Sequence, residues 1–229
     1  MGFSSGELFK DRIGRSDGGA DRMSARAYIA ALTVFIAGGL LGSACMASLT
    51  YNMKPNWMWI AGYFVLCGGG VFIAFASNNW MISALGYILV IVPTGATLGP
   101  YIHLFTLASV LKIALLTTGA SVGVGVAGAI YPKSVAHWSG YLLTGLIVLI
   151  LGDLSRAFMP AFGLPAVPPA LWEWAGALLF SGFIFFDMNR AMRMDYTLDN
   201  AVDSAVALYL DILSLFIRLL EIFGTKSED

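Results

Sequence analysis

Charge is what this 229-residue sequence has least of: only 12% of its residues are Asp, Glu, Lys or Arg, about half of what a soluble domain carries. That scarcity argues against a water-soluble fold. With 58% hydrophobic residues and a mean hydropathy of +0.78, lipid must supply the missing polar covering. The formal net charge is −1, and apart from a mixed N-terminal stretch there is no long basic or acidic block, so a nucleic-acid surface is not expected. Cysteine is nearly absent too. Cys45 and Cys67 each lie inside an apolar run, with no CxxC pair and no Cys/His cluster at zinc spacing, which leaves no basis for a disulfide framework or a metal cluster. The two histidines, His103 and His137, fall in polar breaks with no partner at ligand spacing. No cofactor is expected.

What is present is a series of long apolar runs. A membrane helix needs about 20 mostly apolar residues, and seven such runs emerge, at Ala27–Thr50, Trp57–Ala76, Trp80–Gly99, Phe105–Ala129, Trp138–Phe158, Ala170–Met192 and Ala201–Phe223. The breaks between them are Tyr51–Asn56, Ser77–Asn79, Pro100–His103, Tyr131–His137, Met159–Pro169 and Arg193–Asn200. The runs are continuous rather than alternating, and too long for barrel strands of about 10 residues. The expected fold is an all-α membrane protein, a bundle of seven transmembrane helices. Its organisation is an N-terminal tail (1–26), a membrane domain (27–224) and a short C-terminal tail (225–229). The acids in the N-terminal tail are unlike a transit peptide, and the first apolar run is expected to stay in the mature protein.

Placing the tail inside collects Lys10, Arg12, Arg15, Arg22, Arg26, Lys133, Arg190 and Arg193 on one side. Lys54, Lys112, Arg156, Arg218 and Lys226 fall outside or within helices. That bias favours a cytoplasmic N-terminus. All six tryptophans fall near span ends, as in an interfacial belt. Small residues recur four apart at Gly38/Gly42, Gly95/Gly99 and Gly119/Gly123, a spacing that lets helix backbones approach. Gly68-Gly69-Gly70 and Pro93-Thr94-Gly95 are places where a helix can loosen or kink and free carbonyls.

The informative residues are carboxylates in oily surroundings. Asp211 interrupts the stretch LYLDILSLF, and Asp187 sits in FFDMNR near the inner end of the sixth run. An ionised Asp at the centre of a membrane helix costs about 2.5–3.5 kcal/mol, so it must be protonated, share a proton or pair with a cation. The sixth and seventh runs are joined by a short turn and should be antiparallel neighbours. Asp187 then lies roughly 9 Å above that turn and Asp211 somewhat deeper. Two readings stay open. In one the two carboxyls meet and share a proton, forming a proton-responsive switch. In the other Asp187 faces water beside Arg190, and Asp211 is a protonated packing residue. Asp199 and Asp203 read as helix N-terminal acids, while Arg218/Glu221 and Asp153/Arg156 read as local i, i+3 pairs. Lys112 either snorkels to the interface or turns inward as a counter-ion. The tripeptides Leu151-Gly152-Asp153 and Pro169-Ala170-Leu171, with Phe186-Asp187, come in the wrong order for an intramembrane aspartyl protease, so no enzymatic activity is expected.

With these residues in view, the sequence resembles the transmembrane Bax-inhibitor-motif family, of the Bax inhibitor-1-like bacterial type. The features that carry the resemblance are the seven apolar runs, a third run ending in TLGPYI, the Asp that closes the sixth run, and a seventh run reading AVALYLDILSLFIRLLEIFG. The resemblance implies a bundle with its seventh helix central, and a pH-sensitive calcium leak sensed by a hydrogen-bonded aspartate pair. Carried over, the pair is Asp187 and Asp211, which would also be the calcium ligands. It further implies a link to cell-death suppression in eukaryotes and, in bacteria, to a membrane AAA protease as partner. A bacterial inner membrane is the expected location. Calcium-leaking relatives carry an arginine in the second span, whereas Trp57–Ala76 has no basic residue; Lys112 and Arg190 are the candidates to replace it. The alternative function is that of a non-transporting membrane regulator.

Overall fold

The computed structural model describes residues 22–158 and 168–227; most of the N-terminal tail, the break at 159–167 and the last two residues lie outside the described residues. Among the described residues there are seven long helices: α1 (Ala25–Thr50), α2 (Trp57–Ala76), α3 (Trp80–Ile102), α4 (Leu107–Ile130), α5 (Ser139–Phe158), α6 (Pro169–Ala191) and α7 (Leu198–Phe223). A 3₁₀ turn at Ala136–Trp138 precedes α5. Strand-like pairing among these residues is limited to one bridge between Phe105 and Lys226.

The starts of four helices follow from their capping side chains. Ser24 accepts the amide of Ala27, Asn56 that of Trp59, Asn79 that of Met81 and Thr197 that of Asn200, each satisfying a donor that has no partner in its own helix. The expected break at Pro100 does not occur, because α3 runs through both Pro93 and Pro100 to Ile102. Pro100 has no N–H to offer the carbonyl four residues back, that of Ala96. The Thr50 hydroxyl of α1 donates to that carbonyl instead, at 2.9 Å.

Six helices, α1 to α6, are long and apolar enough to cross a membrane, and the protein is a multi-pass membrane protein. Its outward surface is correspondingly oily: Phe72 and Leu115 are 74% and 76% exposed. In water so continuous an apolar exterior would not persist. The last helix, α7, is different in kind. It carries Asp199, Asp203, Asp211, Arg218 and Glu221, yet fourteen of its 26 residues are buried, against two of 20 in α2. It packs against α1, α2, α3, α4 and α6.

Close approach around α7 uses small residues, though not all those the spacing suggested. Gly95 and Gly99 of α3 lie against the backbone of α1 at Ser43 and Ala47. Gly38, Gly119 and Gly123, by contrast, face open space. On α1 Gly39 makes room for the Tyr87 ring, and Gly42 packs against Ile91. Of the glycine triplet only Gly70 is used, against Gly86.

The two ends of the bundle are tied differently. On one face the residues before α1 meet the α6–α7 turn: the Met23 amide donates to the Tyr196 carbonyl at 2.8 Å, Arg22 pairs with Asp195 at 3.0 Å, and Tyr28 stacks on Tyr196. On the other face the chain leaving α7 docks on the α3–α4 loop. There the Thr106 amide donates to Thr225, the Ser227 amide to Leu104, and the Thr225 amide to the Ser109 hydroxyl. Residues 225–227 are therefore part of the packed structure and not a loose tail.

Gly99→Val places a branched side chain where a Cβ would already lie 2.4 Å from the Ala47 carbonyl. Overpacking of this kind costs about 1–3 kcal/mol. Thermal unfolding in detergent should show a clear loss of stability for this variant, and little change for Gly119→Ala, which faces open space.

Candidate functional site

The α6–α7 hairpin brings Asp187 and Asp211 together. Asp187 stands one turn before the end of α6, in a stretch held by α4: the bare Gly128 backbone lies against the Phe185 carbonyl. Asn189 completes this anchorage. It is buried, its amide nitrogen is within bonding distance of the carbonyls of Gly128, Tyr131 and Lys133, and its oxygen accepts from the Val135 amide and Arg193 Nε. Asp211 is buried at the middle of α7. The carboxyls of Asp187 and Asp211 lie in side-chain contact across α6 and α7, and a hydrogen bond between two carboxyls requires one proton between them. The structure thus places the two carboxyls beside each other and not apart on separate faces.

Asp187, but not Asp211, lines a small cavity of about 10 Å³ together with Phe75, Arg190, Met194, Asp203, Ser204 and Ala207. That volume suits roughly one water molecule, for which the polar lining supplies partners. Asp203, expected to be only a helix N-terminal acid, is instead 3% exposed and part of this lining. The signal was available: Asp203, Ala207 and Asp211 recur every four residues and so share a helix face. Asp199, one turn earlier, accepts from the Ser83 hydroxyl at 2.8 Å. The helix cap itself is Thr197.

The two candidate counter-ions separate clearly. Arg190 lines the cavity, and its positive charge acts on Asp187. Lys112 is exposed, off the buried stripe of α4 formed by Ser109, Ile113, Thr117 and Ser121, so it takes no part in the site. Two carboxyls sharing a proton are also a poor resident calcium site, since that ion takes 6–8 oxygens. Among the described residues no group of three or more His, Cys, Asp or Glu is arranged to hold a metal.

At the opposite end of the hairpin one further expectation is corrected, and the expected Asp153/Arg156 pair forms as part of a larger cluster. Arg218 does not pair with Glu221 but bonds Asp153 of α5 and Glu173 of α6, while Glu221 accepts from the Tyr101 hydroxyl at 2.6 Å. Asp153 and Arg156 are 3.9 Å apart, and each has a closer partner on another helix. His103 and His137 stack edge-on with Tyr51 and Trp138.

An apolar helical bundle with a carboxyl pair between its last two helices defines a class of membrane proteins, and sequence comparison specifies it. The family model described as "Inhibitor of apoptosis-promoting Bax1" matches residues 25–228, and the chain belongs to this Bax inhibitor family. An "uncharacterized membrane protein" of Vibrio cholerae is 29% identical over 194 residues, covering 81% of this chain and 82% of the relative. The Bax inhibitor 1 of Schizosaccharomyces pombe is 32% identical over 130 residues, which span 57% of this chain and 47% of that protein. Inner membrane protein YbhL of Escherichia coli (strain K12) is 23% identical over 209 residues, covering 85% of this chain and 86% of YbhL.

Asn189→Ala would remove the side chain on which the carbonyls closing α4 converge. A buried acceptor left without a donor costs about 1–3 kcal/mol. A lowered melting temperature in detergent, with the α4–α5 connection losing hydrogen-exchange protection first, is the expected outcome.

Proposed function

We propose that this protein is a passive, pH-gated cation pathway of the Bax inhibitor type, with calcium as its cargo and the Asp187–Asp211 pair as its gate. In this reading the chain is not an enzyme, α7 is a seventh span at the centre of the other six, the N-terminus is cytoplasmic and the membrane is a bacterial inner membrane. The observation that carries the proposal is the contact between the Asp187 and Asp211 carboxyls across α6 and α7, in a bundle whose exterior is apolar. Removing the shared proton leaves two like charges in contact in a poorly solvated place, where they repel strongly. The α6–α7 packing is thereby made dependent on proton concentration. The ionised carboxylates would offer hard oxygen ligands to a passing cation, and Asp203 and Arg190 face the same cavity from α7 and α6.

Calcium flux into dye-loaded liposomes, scanned across pH, tests this directly. Asp211→Asn should flatten the pH profile; an unchanged profile would exclude the pair as the gate. Arg190→Gln tests the counter-ion. Loss of a positive charge beside a carboxylate disfavours its ionised form, so the midpoint of the flux profile should move to higher pH.

A second reading, that of a non-transporting regulator bound to another membrane protein such as a membrane AAA protease, is favoured by the lack of any basic residue in α2. It predicts no flux from the purified chain at any pH, and co-purification with a partner.

A further inference from the structure

The cluster at the far end of the hairpin has no part in the gate described above, and it is too elaborately built to be an incidental surface pairing. Arg218 donates to Glu173 Oε2 at 2.7 Å, to Asp153 Oδ1 at 3.2 Å and, through its other terminal nitrogen, to Asp153 Oδ2. Glu173 Oε1 accepts from Arg156, and Trp172 Nε1 donates to Asp153 Oδ1 at 2.9 Å. The side chains of Glu173 and Arg218 are 7% and 13% exposed, while those of Arg156 and Asp153 reach the surface at 25% and 40%. Two glycines make the space. A Cβ at Gly176 would lie 2.8 Å from Arg218 Nε, and one at Gly152 would fall 1.9 Å from the Trp172 ring. Without a side chain at 176, the Arg218 stem passes across α6 in the seam between α6 and α7.

That seam is the one in which Asp187 and Asp211 meet. Arg218 follows Asp211 by seven residues, two turns along the same side of α7, about 10 Å further on at 1.5 Å per residue. On the cation-pathway reading, a cation leaving the aspartate pair along the seam in that direction meets a guanidinium held by carboxylates of α5 and α6. Fixed positive charge in a narrow, poorly solvated passage acts as an electrostatic barrier to cations. Its height depends on how completely the neighbouring carboxylates neutralise it. The cluster contains two carboxylates and two guanidiniums and sums to zero, which lowers that barrier without removing it.

We propose that Arg218 is the charge barrier on the far side of the aspartate pair, with Glu173 and Asp153 setting its height; this rests on the cation-pathway reading above. A clasp that merely holds helices together would be weakened in the same direction by losing either partner, whereas a charge barrier responds with opposite signs. The test is calcium flux from the purified full chain in liposomes across pH, for variants that remain monodisperse in detergent. Arg218→Gln should raise flux several-fold at every pH and leave the midpoint unchanged. Glu173→Gln, which leaves Arg218 less neutralised, should lower it. Arg218→Lys keeps the charge while losing the forked geometry and should stay close to wild type, which preserves the test if Arg218→Gln does not fold. Flux rising in both Glu173→Gln and Arg218→Lys, or unchanged in every variant, would overturn the barrier while leaving the pathway standing. A wild-type chain with no flux at any pH would instead remove the pathway reading and this inference with it.

Discussion

Everything in this fold depends on taking one charged helix out of contact with lipid. The helix α7 carries four acids and an arginine, and no bilayer accepts such a helix bare at the cost of a few kcal/mol for each central charge. Five neighbouring helices, α1, α2, α3, α4 and α6, offset this by packing against it. They spend their apolar residues outward on lipid and their small residues inward on close packing, as with Gly95 and Gly99 against α1. Buried side-chain hydroxyls complete the arrangement. Ser43 bonds Tyr209, Tyr28 bonds Ser204, and Thr50 takes up the carbonyl that Pro100 leaves free.

Once α7 is enclosed, its charged residues must find partners across helix boundaries, and they do so at three levels. Near the α6–α7 turn Asp199 accepts from Ser83, and Asp203 shares a cavity with Arg190. At mid-height Asp211 meets Asp187, and toward the other end Arg218 joins Asp153 and Glu173. The first two levels are rich in acid, and the third is balanced. That distribution of charge along a single seam is the physical basis for reading the hairpin as the working part of the molecule, with α1 to α4 as its housing.

Much of this was legible in the sequence, because hydropathy records how deep a residue sits. Trp57–Ala76 coincides with α2, and the other runs end within a few residues of their helices. Asp187 and Asp211 were marked by the same logic, an acid being conspicuous inside an oily run. What hydropathy does not record is which way a helix faces. The spacing pairs Arg218 with Glu221 because i, i+3 neighbours are visible in one dimension, while Asp153 and Glu173 are brought to Arg218 only by the packing of α5 and α6. Asn189 gave no local hint that the α4–α5 connection converges on it. Lys112 could not be placed inside or outside without the azimuth of α4. The failed break at Pro100 has the same origin, since the group that rescues the helix belongs to a different one, fifty residues earlier in the chain.

The docking of residues 225–227 on the α3–α4 loop has a mechanical meaning. With Thr225 and Ser227 bonded to Thr106 and Leu104 at one end of α7, and Tyr28 holding Ser204 and the Asn200 carbonyl at the other, the helix is a shaft seated in two bearings. These contacts at both ends oppose sliding of α7 along its own length. Parting Asp187 from Asp211 without breaking them requires α6 to move sideways, against the close backbone contact between Gly128 and Phe185.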